Sequence, residues 1–334
     1  MNWYLQSSEN SDVIRSSRIR FVRNINGINF KLGLKDREIL ENKIKDNIYN
    51  IGYGLKFLKL KDMDDITKRS LIEKNLISPT YGMNEDGSIL INDEENICIM
   101  IGGENHLNIQ VFNEGLELEN TLNLAIEIEE KIGEILGYSI SKKYGYLTKS
   151  LNDVGTGLKV SVMLELPALA KTGNLKQILD TIRDFNINID GEYGKTSKNT
   201  KYVYQISNRQ TIGITEKEIV NNIKVITKKL VEQERKARKI LAKEGIELED
   251  TINRSYGILE NCKKISYDEA KELLTNVKLG VDLGVFDKLT DLKVQKLYLY
   301  IKPANLQKYL GEQYEAIERD IKRAEVIKQI ITEK

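Results

Sequence analysis

The sequence predicts an α+β fold, with strands and helices mixed through most of the chain and helices alone toward the carboxyl end. Three observations carry this. From Leu158 to Leu166 the residues alternate strictly: Leu158, Val160, Val162, Leu164 and Leu166 share one face, and Lys159, Ser161, Met163 and Glu165 the other. Leu118, Leu122, Ala125, Ile128, Ile132 and Ile135 recur at helical spacing, the pattern of a helix laid on one side of a sheet. Thr215 and Glu218 form a capping box that opens a helix from Glu216 to Lys243, stopped at Gly245, beyond which strand signals are weak.

Taken in order, residues 1–11 read as a short arm. A strand around Ser16–Arg23 puts Arg18 and Arg20 on one face and Ile19 and Phe21 on the other. The stretch from Asp36 to Leu60 is unevenly helical, and Asp62–Leu76 reads as a helix ending before Ser78 and Pro79. Short strands are expected at Ser88–Asn92, Ile97–Ile101 and Leu107–Val111. After the long apolar-striped helix and the alternating strand come a short helix at Leu175–Ile182, a charged loop at Ile189–Asn199 and a strand at Tyr202–Ile206. Helices are expected at Ser266–Val277, Lys288–Tyr300 and Asn305–Lys334, with a domain boundary near Glu232.

Composition narrows the function. With 334 residues the chain exceeds the usual single-domain size, so two domains are expected. Lysine and arginine number 51 against 50 aspartates and glutamates, so no bulk attraction to nucleic acid or to a membrane surface is implied. Any anion site must be local. Cys98 and Cys262 are the only cysteines, which fits a reducing compartment and excludes a disulfide scaffold or a cysteine metal site. His106 is the only histidine, so histidine-based zinc sites are excluded. The start, MNWYLQSSENSD, lacks a signal pattern, and no apolar run reaches membrane-spanning length. The reading is a soluble cytoplasmic protein.

Two places carry site chemistry by residue type. Arg18 and Arg20 repel one another unless an anion or a distant carboxylate joins them, so the pair reads either as a phosphate site or as a solvated strand edge. The turn Asn152, Asp153, Gly155, Thr156, Gly157 feeds the strand that carries Lys159. Its glycines would let backbone amides approach a phosphate; the plainer reading is a loop and an ordinary amphipathic strand. Glu104 lies at a strand-to-strand junction beside His106, where a carboxylate can act on a substrate or simply be solvated.

Together these pieces resemble the ATP:guanidino phosphotransferase (phosphagen kinase) superfamily and, within it, the bacterial protein arginine kinases of the McsB type. The resemblance rests on SSRIR at Ser16–Arg20, LIEKNLISP at Leu71–Pro79, GYLT at Gly145–Thr148, VGTG at Val154–Gly157, SVM at Ser161–Met163 and LPAL at Leu166–Leu169. Further along stand QISN at Gln205–Asn208, EQERKAR at Glu232–Arg238, RSYGIL at Arg254–Leu259 and LGVDLG at Leu279–Gly284. Near the end, Arg319, Asp320, Ile321, Lys322, Arg323 and Ala324 match RDxxRA, which in that family belongs to a phosphoarginine pocket. On a helix, Arg319 and Arg323 lie one turn apart, where they could share a phosphate with Asp320 beside them, or simply form surface charge pairs.

The resemblance implies an antiparallel sheet flanked by helices in a catalytic domain at 12–232, and a helical domain at 233–334. It implies transfer of the ATP γ-phosphoryl group to protein arginines, with Mg2+ as cofactor. ATP would lie at Ser17, Arg18, Ile19 and Arg20 and at Lys159, Val160, Ser161, Val162 and Met163, with Glu104 facing the substrate guanidinium. Partners implied are arginine-bearing proteins, a zinc-binding activator, a heat-shock repressor, the Clp protease system and a second copy of the chain. The sequence departs from the family at several positions. The usual NEEDHxR reads Gly102, Gly103, Glu104, Asn105, His106, Leu107, Asn108, and the arginine of RASVM is Lys159. In the loop usually written RGxYGEGSE, the arginine is Asp190, the first glutamate Lys195 and the catalytic glutamate Lys198; Glu192, in the same loop, is the substitute carboxylate. A relative that recognises phosphoarginine without transferring phosphate is the alternative reading.

Overall fold

The structure, a computed structural model, describes residues 2–6, 8–193 and 201–333, with the side chains of 48 and 49 left out. Its frame is a sheet of eight strands: β1 (Ile14–Arg23), β2 (Lys56–Lys59), β3 (Ser88–Ile91), β4 (Ile97–Ile101), β5 (Leu107–Asn113), β8 (Leu158–Glu165), β9 (Ile187–Gly191) and β10 (Val203–Asn208). The order is β2-β3-β4-β5-β1-β8-β10-β9, and each neighbouring pair is antiparallel. A separate two-stranded ribbon, β6 (Ile140–Ser141) with β7 (Gly145–Tyr146), lies between β5 and β8 in sequence.

One face of this sheet is a dry core. Ile19 and Phe21 of β1, Ile109 and Val111 of β5, and Val160 and Val162 of β8 are buried there under helices α5 (Leu118–Leu136) and α8 (Glu216–Leu241). Period-two alternation forces the opposite consequence on the other face: Ser16, Arg18 and Arg20 of β1 stand beside Met163, Ser161 and Lys159 of β8. The last arginine of the strand, Arg23, has the parity of Ile19 and Phe21. It is buried on the core side, Nε 2.6 Å from Glu129 and its guanidinium 3.4 Å over the Tyr146 ring.

The remaining elements of this part are α1 (Leu34–Asp46), α2 (Ile48–Ile51), α3 (Asp65–Glu73), α4 (Pro79–Gly82), α6 (Pro167–Lys171) and α7 (Leu175–Arg183). Two expectations change. The stretch read as unevenly helical to Leu60 ends its helices at Ile51 and turns to make the edge strand β2, paired with β3. The charged loop expected from Ile189 begins as β9, because Ile189 and Asp190 pair with Ile206 and Gln205 of β10. Lys195 and Lys198 lie outside the described residues.

The helical part contains α9 (Ile246–Asn261), α10 (Tyr267–Asp282), α11 (Asp291–Tyr300), α12 (Pro303–Leu310) and α13 (Ala316–Thr332). Of these α9 was not expected from the sequence, and the tail read as one helix from Asn305 is two, broken at Gly311. The long helix expected to run past Glu232 does so, α8 (Glu216–Leu241), and beyond it Leu248, Ile252 and Leu279 join the sheet's own core. A second core forms around Leu259, Leu274, Val294, Leu297, Leu306 and Ile327.

Ion pairs stitch the two parts together. Asp12 meets Arg235 at 2.7 Å and Arg238 at 2.9 Å; Arg238 also reaches Asp282 at 3.2 Å. Desolvation lifts the Asp282 carboxyl to about 6 despite Lys278 and Arg238 beside it. The arm lies across the polar face, where Trp3 stacks on Phe112 with ring centroids 5.5 Å apart.

Candidate active site

Arg18, Arg20 and Lys159 line one cleft of about 730 Å³ together with Glu104, Asp153, Asp190 and Glu192. The cations are held in place by strand register, Arg20 opposite Lys159 and Arg18 opposite Ser161. Their own contacts are long. Arg18 donates to Gln110 at 3.4 Å and Gln205 at 3.2 Å, and Arg20 reaches Asp153 at 3.4 Å. The Nε of each is buried without a hydrogen-bond partner among the described residues. Burial, with Arg20 beside it, lowers the Arg18 guanidinium to about 10, still a cation at neutral pH. Burial and the two arginines likewise lower the Lys159 ammonium to about 8, opposed by Asp190 and Asp153. Three crowded cations, two of them arginines with an unused Nε donor, form a site that an anion would relax.

Other residues expected to contact ATP are divided by the sheet. Ser161 and Met163 share the cationic face, whereas Ser17, Ile19, Val160 and Val162 are buried with the opposite parity and present no side chain to the cleft. The glycine turn before β8 also has a different use. The Gly155 amide donates to Tyr146 at 3.2 Å and the Thr156 amide to Thr211 at 3.0 Å, so these donors close the backbone instead of facing a phosphate. Gly157, at φ +60, is packed so closely that a Cβ would meet the Arg23 guanidinium at 2.5 Å.

Glu104 is exposed at the cleft, on a loop pinned from both sides. Asn24 donates to Asn105 at 2.9 Å and accepts from the His106 amide at 2.9 Å. The His106 ring accepts the Ile25 amide at Nδ1 and lies 2.8 Å from the Asn29 carbonyl at Nε2, the pattern of a neutral ring. Burial lowers its pKa further, so this histidine is structural. At Gly102, where the family carries a side chain, φ is +79 and Arg37 fills the space: a Cβ would sit 2.2 Å from its guanidinium. Arg37 donates there to the Gly102 carbonyl at 3.0 Å.

Glu192 is buried at the other wall, with Lys271 at 2.7 Å, Lys302 at 2.9 Å and Arg15 at 4.0 Å. Desolvation would raise its carboxyl, but these three cations outweigh it and hold it far below the usual range. A carboxylate so stabilised is a poor proton acceptor at neutral pH.

Residues 38–237 match the family model of the ATP:guanido phosphotransferase C-terminal catalytic domain. The chain belongs to the ATP:guanido phosphotransferase family. Residues 245–334 of this phosphotransferase match the protein-arginine kinase McsB C-terminal domain. A protein-arginine kinase of Halothermothrix orenii is 40% identical over 332 residues, covering 98% of this chain and 95% of that protein. One of Bacillus pumilus is 37% identical over 335 residues, covering 98% and 92%. Among solved structures, lombricine kinase superposes with TM-score 0.57 at 22% identity, over 70% of this chain and 69% of that one. The duplicated taurocyamine kinase of Schistosoma mansoni with bound transition-state analogue components gives TM-score 0.58 at 23% identity, over 66% and 32%. Both share the guanidino kinase fold.

The RDxxRA arginines of this phosphotransferase do not converge as their helical spacing suggested. Arg323 is buried; its Nε donates to the Ile301 carbonyl at 2.7 Å, and its Nη1 donates to the Ile265 carbonyl at 2.8 Å and pairs with Asp320. Asp320 is thereby engaged as well. Arg319 instead lines a hollow of about 250 Å³ with Asp65, Arg69 and Tyr314. No helix is long and apolar enough to cross a membrane among the described residues. Sequence reasoning missed Lys271 and Lys302 of the helical part and Arg15 of β1 as neighbours of Glu192, since nothing in their local patterns points to it.

Proposed function

We propose that this phosphotransferase moves the γ-phosphoryl group of ATP onto arginine side chains of proteins. The supporting observation is that Arg18, Arg20 and Lys159 face the same cleft as Glu104. In this reading the three cations hold the phosphates, with Ser161 and Met163 buried beside them on the same sheet face. Ser17, Ile19, Val160 and Val162 contribute by fixing the strands. Asp153 and Asp190, which line the cleft beside Lys159, are the carboxylates that would hold a Mg2+ carried by the nucleotide phosphates, where the ion would neutralise phosphate charge.

The acceptor guanidinium is protonated at neutral pH, with a pKa above about 12. Glu104 orients it through charge-assisted hydrogen bonds. As the guanidinium nitrogen bonds to the γ-phosphorus, the bond from phosphorus to the ADP oxygen breaks and the nitrogen's proton passes to the Glu104 carboxylate. Asn108 and Lys159, where family members carry arginine, leave fewer forked donors for the phosphates.

The same reading places the protein in the cytoplasm, in stress-linked marking of proteins for a Clp protease, with a zinc-binding activator and a heat-shock repressor as partners. Arg319, with Arg69 across the hollow, would bind phosphoarginine, while Arg323 and Asp320 shape that pocket from behind.

Incubation with ATP, Mg2+ and an arginine-rich protein should give acid-labile phosphoarginine, read by mass spectrometry under conditions that preserve it. Glu104→Gln should abolish transfer while leaving nucleotide binding intact. Full activity in that variant would refute the role given to Glu104.

A further inference from the structure

Glu192 is surrounded by cations from three separate elements. Arg15 comes from β1, Lys271 from α10 and Lys302 from the residue just before α12. Lys302 reaches further. The same Nζ that lies 2.9 Å from Glu192 donates at 2.7 Å to the Glu73 carbonyl at the end of α3. The Glu73 carboxylate in turn accepts the amides of Ala304 and Asn305, each at 2.8 Å, and Ser70 donates to Asn305 at 2.6 Å. One buried lysine thus touches both flanks of the cleft. Glu73 leads into Asn75, Ile77 and Ser78 on one wall, and Glu192 stands in the Asp190–Tyr193 segment of the other.

We propose that Lys302 and Glu192 form a tie across the cleft that fixes the Asp190–Tyr193 segment against the α3 wall, making both positioning residues for the acceptor arginine. The proposal rests on the kinase reading of the cleft. It recasts Glu192 from proton acceptor to anchor. At the open end of β9 the last described ladder partner is Tyr204, opposite Gly191, so the ladder stops one residue short of Glu192. The polar contacts that hold Glu192 itself come from Lys302, Lys271 and Arg15. Buried charge pairs add little net stability, yet removing one partner leaves the other uncompensated, so such a pair enforces one geometry. Misplacement of a reacting group by about 1 Å can cost on the order of a hundredfold in rate.

The test uses the full chain. Lys302→Met should raise KM for an arginine-bearing protein substrate by about tenfold or more, with affinity for a non-hydrolysable ATP analogue within about twofold of wild type. Hydrogen exchange at Ile187–Gly191 should accelerate, and Lys302→Arg should restore both readings in large part. Glu192→Gln, which keeps the shape and removes the charge, should repeat the pattern and serves if Lys302→Met fails to fold. Unchanged acceptor kinetics and unchanged exchange in both variants would overturn the tie. So would a parallel loss of nucleotide affinity and melting temperature, which would mark a merely structural pair. Exchange reads the tie even if the wild-type chain forms no phosphoarginine, so failure of the kinase reading is seen separately.

Discussion

The arginines of β1 and those of α13 pose the same puzzle in sequence and receive opposite answers. Arg18 and Arg20 meet only long contacts, 3.2 to 3.4 Å, and face a cavity with their Nε donors unused. Arg323 spends its guanidinium on two backbone carbonyls and Asp320, deep between helices. The difference is between holding charge ready for a ligand and using charge to join elements. Spacing on a strand already separates two faces, so a cationic face opposite an apolar one must look outward or into a cleft. Spacing on a helix says only that two residues share a side. Whether that side is inside depends on what packs against it.

Four substitutions or conditions bear on this contrast. Arg18→Ala should lower phosphoryl transfer by about two to three orders of magnitude, the loss typical of removing a transition-state charge partner, while thermal melting changes little. A collapse of the melting temperature would place Arg18 with Arg323 on the structural side. Arg323→Ala should do the reverse, destabilising the helical part by about 2–4 kcal/mol through orphaned carbonyls and an unpaired Asp320, measured by denaturant unfolding. Loss of phosphoarginine binding without loss of stability would instead make it a ligand residue.

Nucleotide affinity should depend on pH through Lys159. Its ammonium titrates near 8 in the free protein, and a bound phosphate favours the charged form. Affinity is therefore full below that pH and falls as pH rises through about 8. Lys159→Arg should remove this dependence, because guanidinium stays charged; titration calorimetry across pH 7 to roughly 9.5 reads the change. The smallest effect is expected from Cys98→Ser. The thiol is buried on β4, two strands from Arg20 in the same row of the sheet but not among the residues lining the cleft, and burial lifts it to about 12, so transfer should be unaltered in initial-rate assays.

The middle strands β1, β5 and β8 were legible because they are 10, 7 and 8 residues long and largely alternate, as at Leu158–Glu165. Alternation put Arg18 and Arg20 on one face of their strand and Lys159 on the polar face of another; the family resemblance, not the alternation, put the three in one site. Edge strands were harder. Lys56–Lys59 is four residues long and sits amid helical spacing, so its strand character comes from pairing with β3 and not from its own pattern. The turn before β8 was open to two readings for a related reason: glycines announce that something approaches closely, and here it is Arg23, in keeping with the plainer loop reading. Glu192 shows the limit most sharply. Its candidacy as a base came from sitting in the right loop, and its occupation is set by Lys271 and Lys302, far along the chain.

The arm supplies a reporter of its own. Trp3 is the single tryptophan, and its ring stacks on Phe112, the strand partner of Arg18. Excited selectively near the red edge of protein absorption, its emission would sense a nucleotide arriving next to Phe112 without any dye attached, so occupancy of the cationic face can be followed in real time with the unmodified chain.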